Sequence, residues 1–145
     1  MYKIPLILII LLSNTVQASE INGCAFLSIA VNNMTPWACT LTQKLVKAGK
    51  LSGSTQVPTF LPANSQGMPF EMQQLFYGPD LTLTYQCGEN HQITFRSQQD
   101  LCVLSSGNMV SEILAATMMT AHSIKEPGSY FWSQHGIINW TLEAT

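Results

Sequence analysis

Polar and apolar residues alternate along much of the chain, most clearly in LTLTYQ at residues 81–86. Successive side chains of a β-strand point to opposite faces, so the leucines and the tyrosine of this segment should share one face. Turn residues at 87–90 precede a second alternating run, HQITFR. The pattern predicts a β-hairpin over residues 80–96.

Other short runs separated by turn residues occur at 25–31, 37–46, 57–61, 69–73 and 137–143. Some eight or nine strands of this kind, in a chain with only 10% charged residues, predict an all-β fold, an antiparallel β-sandwich. A small β-barrel is the alternative. Residues 109–123 also fit helical spacing, so a short helix near 109–121 stays open, although strands are favoured because a lone helix needs its own cover.

The first residues, MYKIPLILIILLSNTVQASE, have the layout of a secretory signal peptide. Lys3 precedes an apolar run at 4–12 that is too short for a membrane-spanning helix, which needs roughly 18 residues. We predict cleavage after Ala18 and one domain at 19–145, exported to the periplasm or the extracellular space. Further export by type II secretion would suit a virulence or host-interaction factor of a Gram-negative bacterium.

Four cysteines follow, namely Cys24, Cys39, Cys87 and Cys102. An even number in an exported chain predicts two disulfides. Three pairings are possible, including the two local ones, Cys24 with Cys39 and Cys87 with Cys102. The short Cys and His spacings of a zinc site are absent, so no metal or other cofactor is predicted.

Catalytic patterns do not stand out in the sequence. Asp80 and Asp100 are expected at turns or strand ends, and His91, His122 and His135 lack the spacing of metal ligands. There is no GxSxG nucleophile elbow. We therefore predict a binding protein and not an enzyme, with a hydrolase that lacks a recognisable motif as an alternative.

The net negative charge of the chain indicates which class of partner is disfavoured. Removal of the predicted signal peptide takes away Lys3, one of six basic residues against eight acidic ones, which disfavours nucleic acid. Lys44, Lys47 and Lys50 recur every three residues and are candidates to meet an anionic lipid headgroup or an acidic partner. The alternative is a solvated lysine-rich loop at 47–50. The oligomeric state is not indicated.

Aromatic side chains concentrate in SYFWSQHGIINWTLEAT at residues 129–145. We predict a terminal hairpin, with strands at 130–134 and 137–143 and a turn at His135-Gly136. In the second strand, Ile138, Trp140 and Leu142 should share one face. Rings that combine an apolar body with a polar handle suit membrane and protein interfaces. Half of the rings should nevertheless face the core. The tentative binding residues for a membrane lipid or a host or envelope protein are Tyr130, Trp132, His135 and Trp140.

Residues 57–96, VPTFLPANSQGMPFEMQQLFYGPDLTLTYQCGENHQITFR, resemble the middle of aegerolysins and related small secreted β-sandwich proteins. The matching positions are Phe60, Pro62, Gly67, Phe70, Gly78, Tyr85, Gly88 and Phe95. The resemblance implies lipid recognition at a membrane surface, sometimes with a partner protein that forms the pore. The shorter segment LTYQCGENHQITF is similar to periplasmic C-type lysozyme inhibitors, whose loop is approximated by Gly128-Ser129-Tyr130, and implies enzyme inhibition.

Overall fold

The computed structural model describes residues 20–53, 55–103 and 107–145. In these ranges a single 3-10 turn, Gly23–Ala25, precedes ten strands. The strands are β1 (Phe26–Asn33), β2 (Cys39–Ala48), β3 (Lys50–Leu51), β4 (Phe60–Leu61), β5 (Phe70–Gln73), β6 (Asp80–Cys87), β7 (Gln92–Gln99), β8 (Met109–Thr117), β9 (Met119–Glu126) and β10 (Gly136–Ala144). The predicted signal peptide lies outside the described residues.

The strands form two five-stranded sheets. Sheet A has the order β3-β5-β1-β10-β9, and sheet B has the order β4-β2-β6-β7-β8. The sheets pack face to face and do not close into a barrel, which confirms the predicted sandwich. The hairpin over 80–96 is confirmed as β6 and β7. Strands are also confirmed at 109–123, where Met118, with a φ of 54°, lies between β8 of sheet B and β9 of sheet A.

The core lies between the two sheets and follows the alternation of the sequence. Leu81, Leu83 and Tyr85 of β6 are buried. The face predicted to be shared by Ile138, Trp140 and Leu142 of β10 is buried as well. The hydroxyl group of Tyr85 donates a 2.7 Å hydrogen bond to the Pro58 carbonyl oxygen. Burial raises the pKa of this phenol, because the charged form would lose its hydration.

The predicted terminal hairpin is wrong. Residues 129–134 form a turn closed by a bridge between Ser129 and Gln134. Ser133 has a φ of 49°, which an extended strand cannot accommodate. Strand β10 instead pairs antiparallel with β9 and parallel with β1, in the register Leu27 to Gly136.

Both disulfides join cysteines that are far apart in sequence. Cys39 and Cys87 face each other across β2 and β6, with a sequence separation of 48. Cys24 of the 3-10 turn is bonded to Cys102 after β7, with a separation of 78. Neither local pairing is present. Two disulfides indicate that the chain folds in an oxidising compartment.

The loop predicted at 47–50 is wrong, because β2 continues to Ala48. Gly49, with a φ of 79°, then turns the chain into β3. A bulge between Leu41 and Gln43 also shifts the register of β2. Leu45 is consequently opposite Thr82 and exposed.

Candidate binding site

One end of the sandwich collects loops from four parts of the chain. Strands β1 and β10 begin there, since they are parallel neighbours, and β5 ends there, since Gln73 pairs with Phe26. The end of β7 lies at the same place because Gln99 Nε2 donates a 2.9 Å hydrogen bond to the Cys24 carbonyl oxygen. The segments that meet are 20–25, 74–79, 100–103 and 127–135.

The segment 20–25 holds the aromatic turn at 129–134 in place. Asn22 Nδ2 donates a 2.8 Å hydrogen bond to the carbonyl oxygen of Tyr130. The backbone N–H of Gly23 donates a 2.7 Å hydrogen bond to Ser133 Oγ. A Cβ at Gly23 would collide with the Ser133 carbonyl, so only glycine permits this close approach.

The same segment is connected to the loops at 74–79 and 100–103. Gln74 donates its backbone N–H to the Ala25 carbonyl oxygen at 2.8 Å. Its side-chain Oε1 accepts a 2.6 Å hydrogen bond from the backbone N–H of Cys102, which is itself bonded to Cys24. A Cβ at Gly78 would collide with the Gln99 carbonyl, so the loop packs directly on β7. These contacts make the loops one connected structure.

Large apolar side chains of these loops point into solvent. Phe76 is 90% exposed, Phe131 79% and Trp132 80%. Of the six exposed aromatic side chains in the described part of the chain, five lie at this end. We call the following group the apolar end: Leu75, Phe76, Tyr77, Leu101, Val103, Tyr130, Phe131 and Trp132. So much exposed aromatic surface in one place is typical of an interaction site.

The predicted aromatic residues separate into two environments. Tyr130 and Trp132 are exposed and belong to the apolar end. Phe131 joins them, so the rings of this turn do not divide evenly between core and solvent. Trp140 is only 1% exposed and donates a hydrogen bond to Ser97 Oγ, so it belongs to the core and not to a binding surface.

His135 lies at the base of the aromatic turn. Its Nδ1 is 2.9 Å from Glu71 Oε2, and its ring is 5.2 Å from the ring of Phe26. Glu71 belongs to β5 and Phe26 to β1. The histidine therefore connects the turn to sheet A, and its side chain remains exposed.

The three predicted lysines do not form one patch. Lys47 and Lys50 are exposed beside the Gly49 corner, and Ala48 pairs with Asp80 at the start of β6, which is at the apolar end. Lys44 is opposite Leu83, further along β2. Lys47 and Lys50 are thus placed near the rim of the apolar end, while Lys44 is set back from it.

Sequence reasoning missed the loop at 74–79. Leu75, Phe76 and Tyr77 are three consecutive large apolar residues, followed by Gly78 and Pro79. A run that does not alternate and that stops at a glycine-proline pair indicates a loop. Large apolar residues in a loop are unusual unless they are functional, and this was the signal that could have identified the segment as part of a binding site.

The outer face of sheet B carries a cluster of charges beside the apolar end. Arg96 donates to Asp80 through Nε at 3.0 Å and Nη2 at 2.8 Å, and through Nη1 to Glu112 at 3.1 Å. Donation to the Asp80 carboxylate, and to a smaller extent to Glu112, raises the pKa of Arg96, because both acceptors stabilise its charged form. Asp80 is buried and its charge is engaged by the guanidinium group. The aspartate expected in a turn is therefore a structural partner at the first position of β6.

Among the described residues, no group of three or more His, Cys, Asp or Glu side chains is placed so that it could hold a metal ion. Within the same ranges, no helix is long and apolar enough to cross a membrane.

The fold is shared with known proteins although the sequence is not. No protein-family model matches the chain, and no curated protein is similar to it in sequence. The lipid-binding protein Nakanori superposes with a TM-score of 0.63 and 11% identity, over 81% of this chain and 70% of that protein.

Two further crystal structures match nearly whole chains. RahU, in complex with a Tris molecule, gives a TM-score of 0.53 at 12% identity and covers 85% of this chain and 97% of its own. IP-1A from Alcaligenes faecalis gives 0.55 at 11% identity, over 86% and 94%. At these identities the likeness shows the fold alone, and it supports the resemblance to small secreted β-sandwich proteins at that level.

Proposed function

We propose that this protein is a non-enzymatic membrane-binding protein that inserts its apolar end into the surface of a lipid bilayer. The observation that carries the proposal is the convergence of five exposed aromatic side chains on one end of the sandwich. Aromatic rings are favourable at the boundary between water and lipid headgroups, and burying one contributes about 1.5–3 kcal/mol.

Three further observations support a bilayer as the partner. The loops are tied to one another by the Cys24–Cys102 disulfide and by hydrogen bonds of the segment 20–25, so little ordering is required on binding. Lys47 and Lys50 near the rim would add about 1 kcal/mol each at an anionic surface. Nakanori, which has the same fold, is described as a lipid-binding protein.

The location belongs to the same proposal. A signal peptide at 1–18 and two disulfides fit export from the cytoplasm, so the membrane would be that of the bacterial envelope or of a host cell. Binding of a host or envelope protein, inhibition of an enzyme through the loop at 128–130, and a role in virulence after type II secretion stay predictions.

Co-sedimentation with vesicles tests the proposal. The wild-type protein should sediment with vesicles of phosphatidylcholine and phosphatidylglycerol, and the double variants F131A/W132A and F76A/Y77A should each lower the apparent affinity by at least about tenfold. Phe60→Ala is the matched control, because Phe60 is also an exposed phenylalanine, at 58%, but lies at the opposite end of sheet B. Equal loss in all three variants, or no sedimentation of the wild type, would contradict the proposal.

A further inference from the structure

One edge of sheet B lacks a partner strand. Strand β8 pairs with β7 on one side, and no described residue pairs with its other side. The second half of this strand is exposed without interruption, from Glu112 to Thr117. Because neighbouring side chains of a strand point to opposite faces, continuous exposure means that both faces and the edge are accessible. The backbone groups of this edge are therefore free to pair with another strand.

The exposed part of β8 is apolar. Ile113 is 40% exposed and Leu114 49%, and the two alanines at 115–116 follow. A register shift leaves Leu114 without a partner in β7. The one charged residue of β8 is Glu112, and its carboxylate is engaged by Arg96 at 3.1 Å. No unpaired charge on β8 opposes the approach of a second strand.

The three other sheet edges in the described part of the chain are protected against such pairing. Strands β3 and β4 have only two residues each. Strand β9 is longer, but His122, Lys125 and Glu126 are exposed along it. Short edge strands and exposed charges, above all lysine, are the features by which proteins prevent association through sheet edges. Strand β8 has neither feature, so its edge is suited to a partner.

A second copy of this chain fits the edge. An antiparallel strand pair is compatible with a two-fold axis, because opposite residues exchange equivalent hydrogen bonds. An axis near Leu114 and Ala115 brings the large side chains at 113–114 of one copy to the small side chains at 115–117 of the other. The edge is therefore complementary to itself in size and in charge.

This pairing fixes the relative orientation of the two apolar ends. Strand β8 begins at the apolar end, where Met109 is opposite Gln99, and finishes at the far end, where Thr117 is opposite Gln92. Two antiparallel copies of the strand consequently place the two apolar ends at opposite ends of the dimer. Such a dimer cannot insert both ends into one flat bilayer, but it can contact two bilayers at once.

We propose that the protein forms a two-fold dimer through β8, in which the two copies of sheet B form one continuous ten-stranded sheet, and that this dimer bridges two membranes. The bridging rests on the proposed function, whereas the dimer does not. Each chain supplies one membrane-binding end. The activity that results is the cross-linking of membranes, which a single chain with one apolar end could not perform.

The mass of the protein in solution tests the dimer without a membrane. In light scattering coupled to size exclusion, the wild type should have twice the mass of one chain. Ala115→Lys should raise the dissociation constant at least about a hundredfold, because it places like charges opposite each other at the edge. Ile124→Lys is the matched control and should remain a dimer, because Ile124 is also exposed and apolar, at 61%, but lies in β9.

Hydrogen exchange identifies the contact. The amides at 112–117 should exchange more slowly in the wild type than in Ala115→Lys, whereas those at 119–126 should exchange equally in both proteins. A monomeric wild type, a dimer that Ala115→Lys leaves intact, or a difference confined to β9 would overturn the proposal.

Vesicles of phosphatidylcholine and phosphatidylglycerol test the bridging. The wild type and Ile124→Lys should aggregate the vesicles and increase their turbidity, while Ala115→Lys should sediment with them and leave the turbidity low. A dimer that sediments with vesicles and does not aggregate them would overturn the bridging. A dimer that depends on Ala115 but binds no vesicle would support the pairing of β8 while overturning the proposed function.

Discussion

The indole Nε1 of Trp140 donates a 2.8 Å hydrogen bond to Ser97 Oγ, and this bond joins sheet A to sheet B inside the core. Ser97→Ala would leave a buried N–H without a partner, so the free energy of unfolding should fall by about 1–3 kcal/mol in urea denaturation. Ser123→Ala is the control, because it removes a hydrogen bond between the half-buried hydroxyl groups of Ser123 and Ser111. A loss for Ser97→Ala no greater than for this control would contradict the assignment.

Stability at alkaline pH should depend on Tyr85. Its folded-state pKa is raised above the ordinary value of 10.0 by burial, so the unfolded chain loses this proton first as the pH rises. The contribution is complete below pH 10 and is lost as the pH increases through the raised pKa, at up to about 1.4 kcal/mol per pH unit. Denaturation at pH 8 to 11 should show this slope in the wild type.

Tyr85→Phe separates the hydroxyl group from the ring. The variant should lose about 1 kcal/mol at pH 8, because the Pro58 carbonyl oxygen loses its 2.7 Å donor. Above pH 10 it should decline less steeply than the wild type. Parallel slopes for the two proteins would show that other groups cause the alkaline loss.

The two disulfides should have different effects on binding. Each closes a long loop, with separations of 78 and 48 residues, and should contribute about 4 kcal/mol by restricting the unfolded chain. Only Cys24–Cys102 lies at the apolar end. The double serine variant of that pair should therefore bind vesicles more weakly at temperatures where circular dichroism still shows a folded sandwich.

The matched variant replaces Cys39 and Cys87 by serine. Its disulfide joins β2 and β6 at the opposite end, so vesicle affinity should be unchanged while it remains folded. If both variants lose affinity equally in the folded state, the Cys24–Cys102 bond does not organise the binding surface.

Fluorescence should identify which tryptophan meets the bilayer. Trp132 is 80% exposed at the apolar end, Trp140 is buried, and the ring of Trp37 stacks on that of His91 at 4.0 Å. Vesicles should shift the emission of the wild type to shorter wavelength, since the Trp132 ring moves from water into the headgroup region. Trp132→Phe should abolish the shift, and Trp37→Phe should retain it. Loss of the shift in Trp37→Phe would place the contact elsewhere.

The features that the sequence predicted well are local. Alternation at 81–86 identified the core face of β6, because the period of two is a property of the strand itself. Alternation also placed Ile138, Trp140 and Leu142 on one face. It could not identify the partner of that strand, since the parallel pairing of β10 with β1 joins segments more than a hundred residues apart.

The candidate site was harder to predict because it is assembled from separate loops. Trp132 was recognised from a local concentration of aromatic residues. Phe76 and Tyr77 were not, since nothing in their own segment shows that the loop lies beside residues 22–25. That proximity follows from the pairing of β5 with β1, in which Gln73 is opposite Phe26, and this pairing has no local signal in either segment. The disulfide between Cys24 and Cys102 adds the loop at 100–103, and four cysteines alone leave its pairing undetermined.

The parallel pair of β1 and β10 has a consequence for the order of events during biosynthesis. Strand β10 lies inside sheet A, between β1 and β9, so that sheet has a gap until residues 136–144 have been synthesised. A ribosome-bound chain without them exposes two unpaired strand edges and the core side chains that Ile138, Trp140 and Leu142 would cover. The domain can therefore acquire its native structure only after translation of this strand, so folding follows the synthesis of almost the whole given sequence and cannot proceed strand by strand.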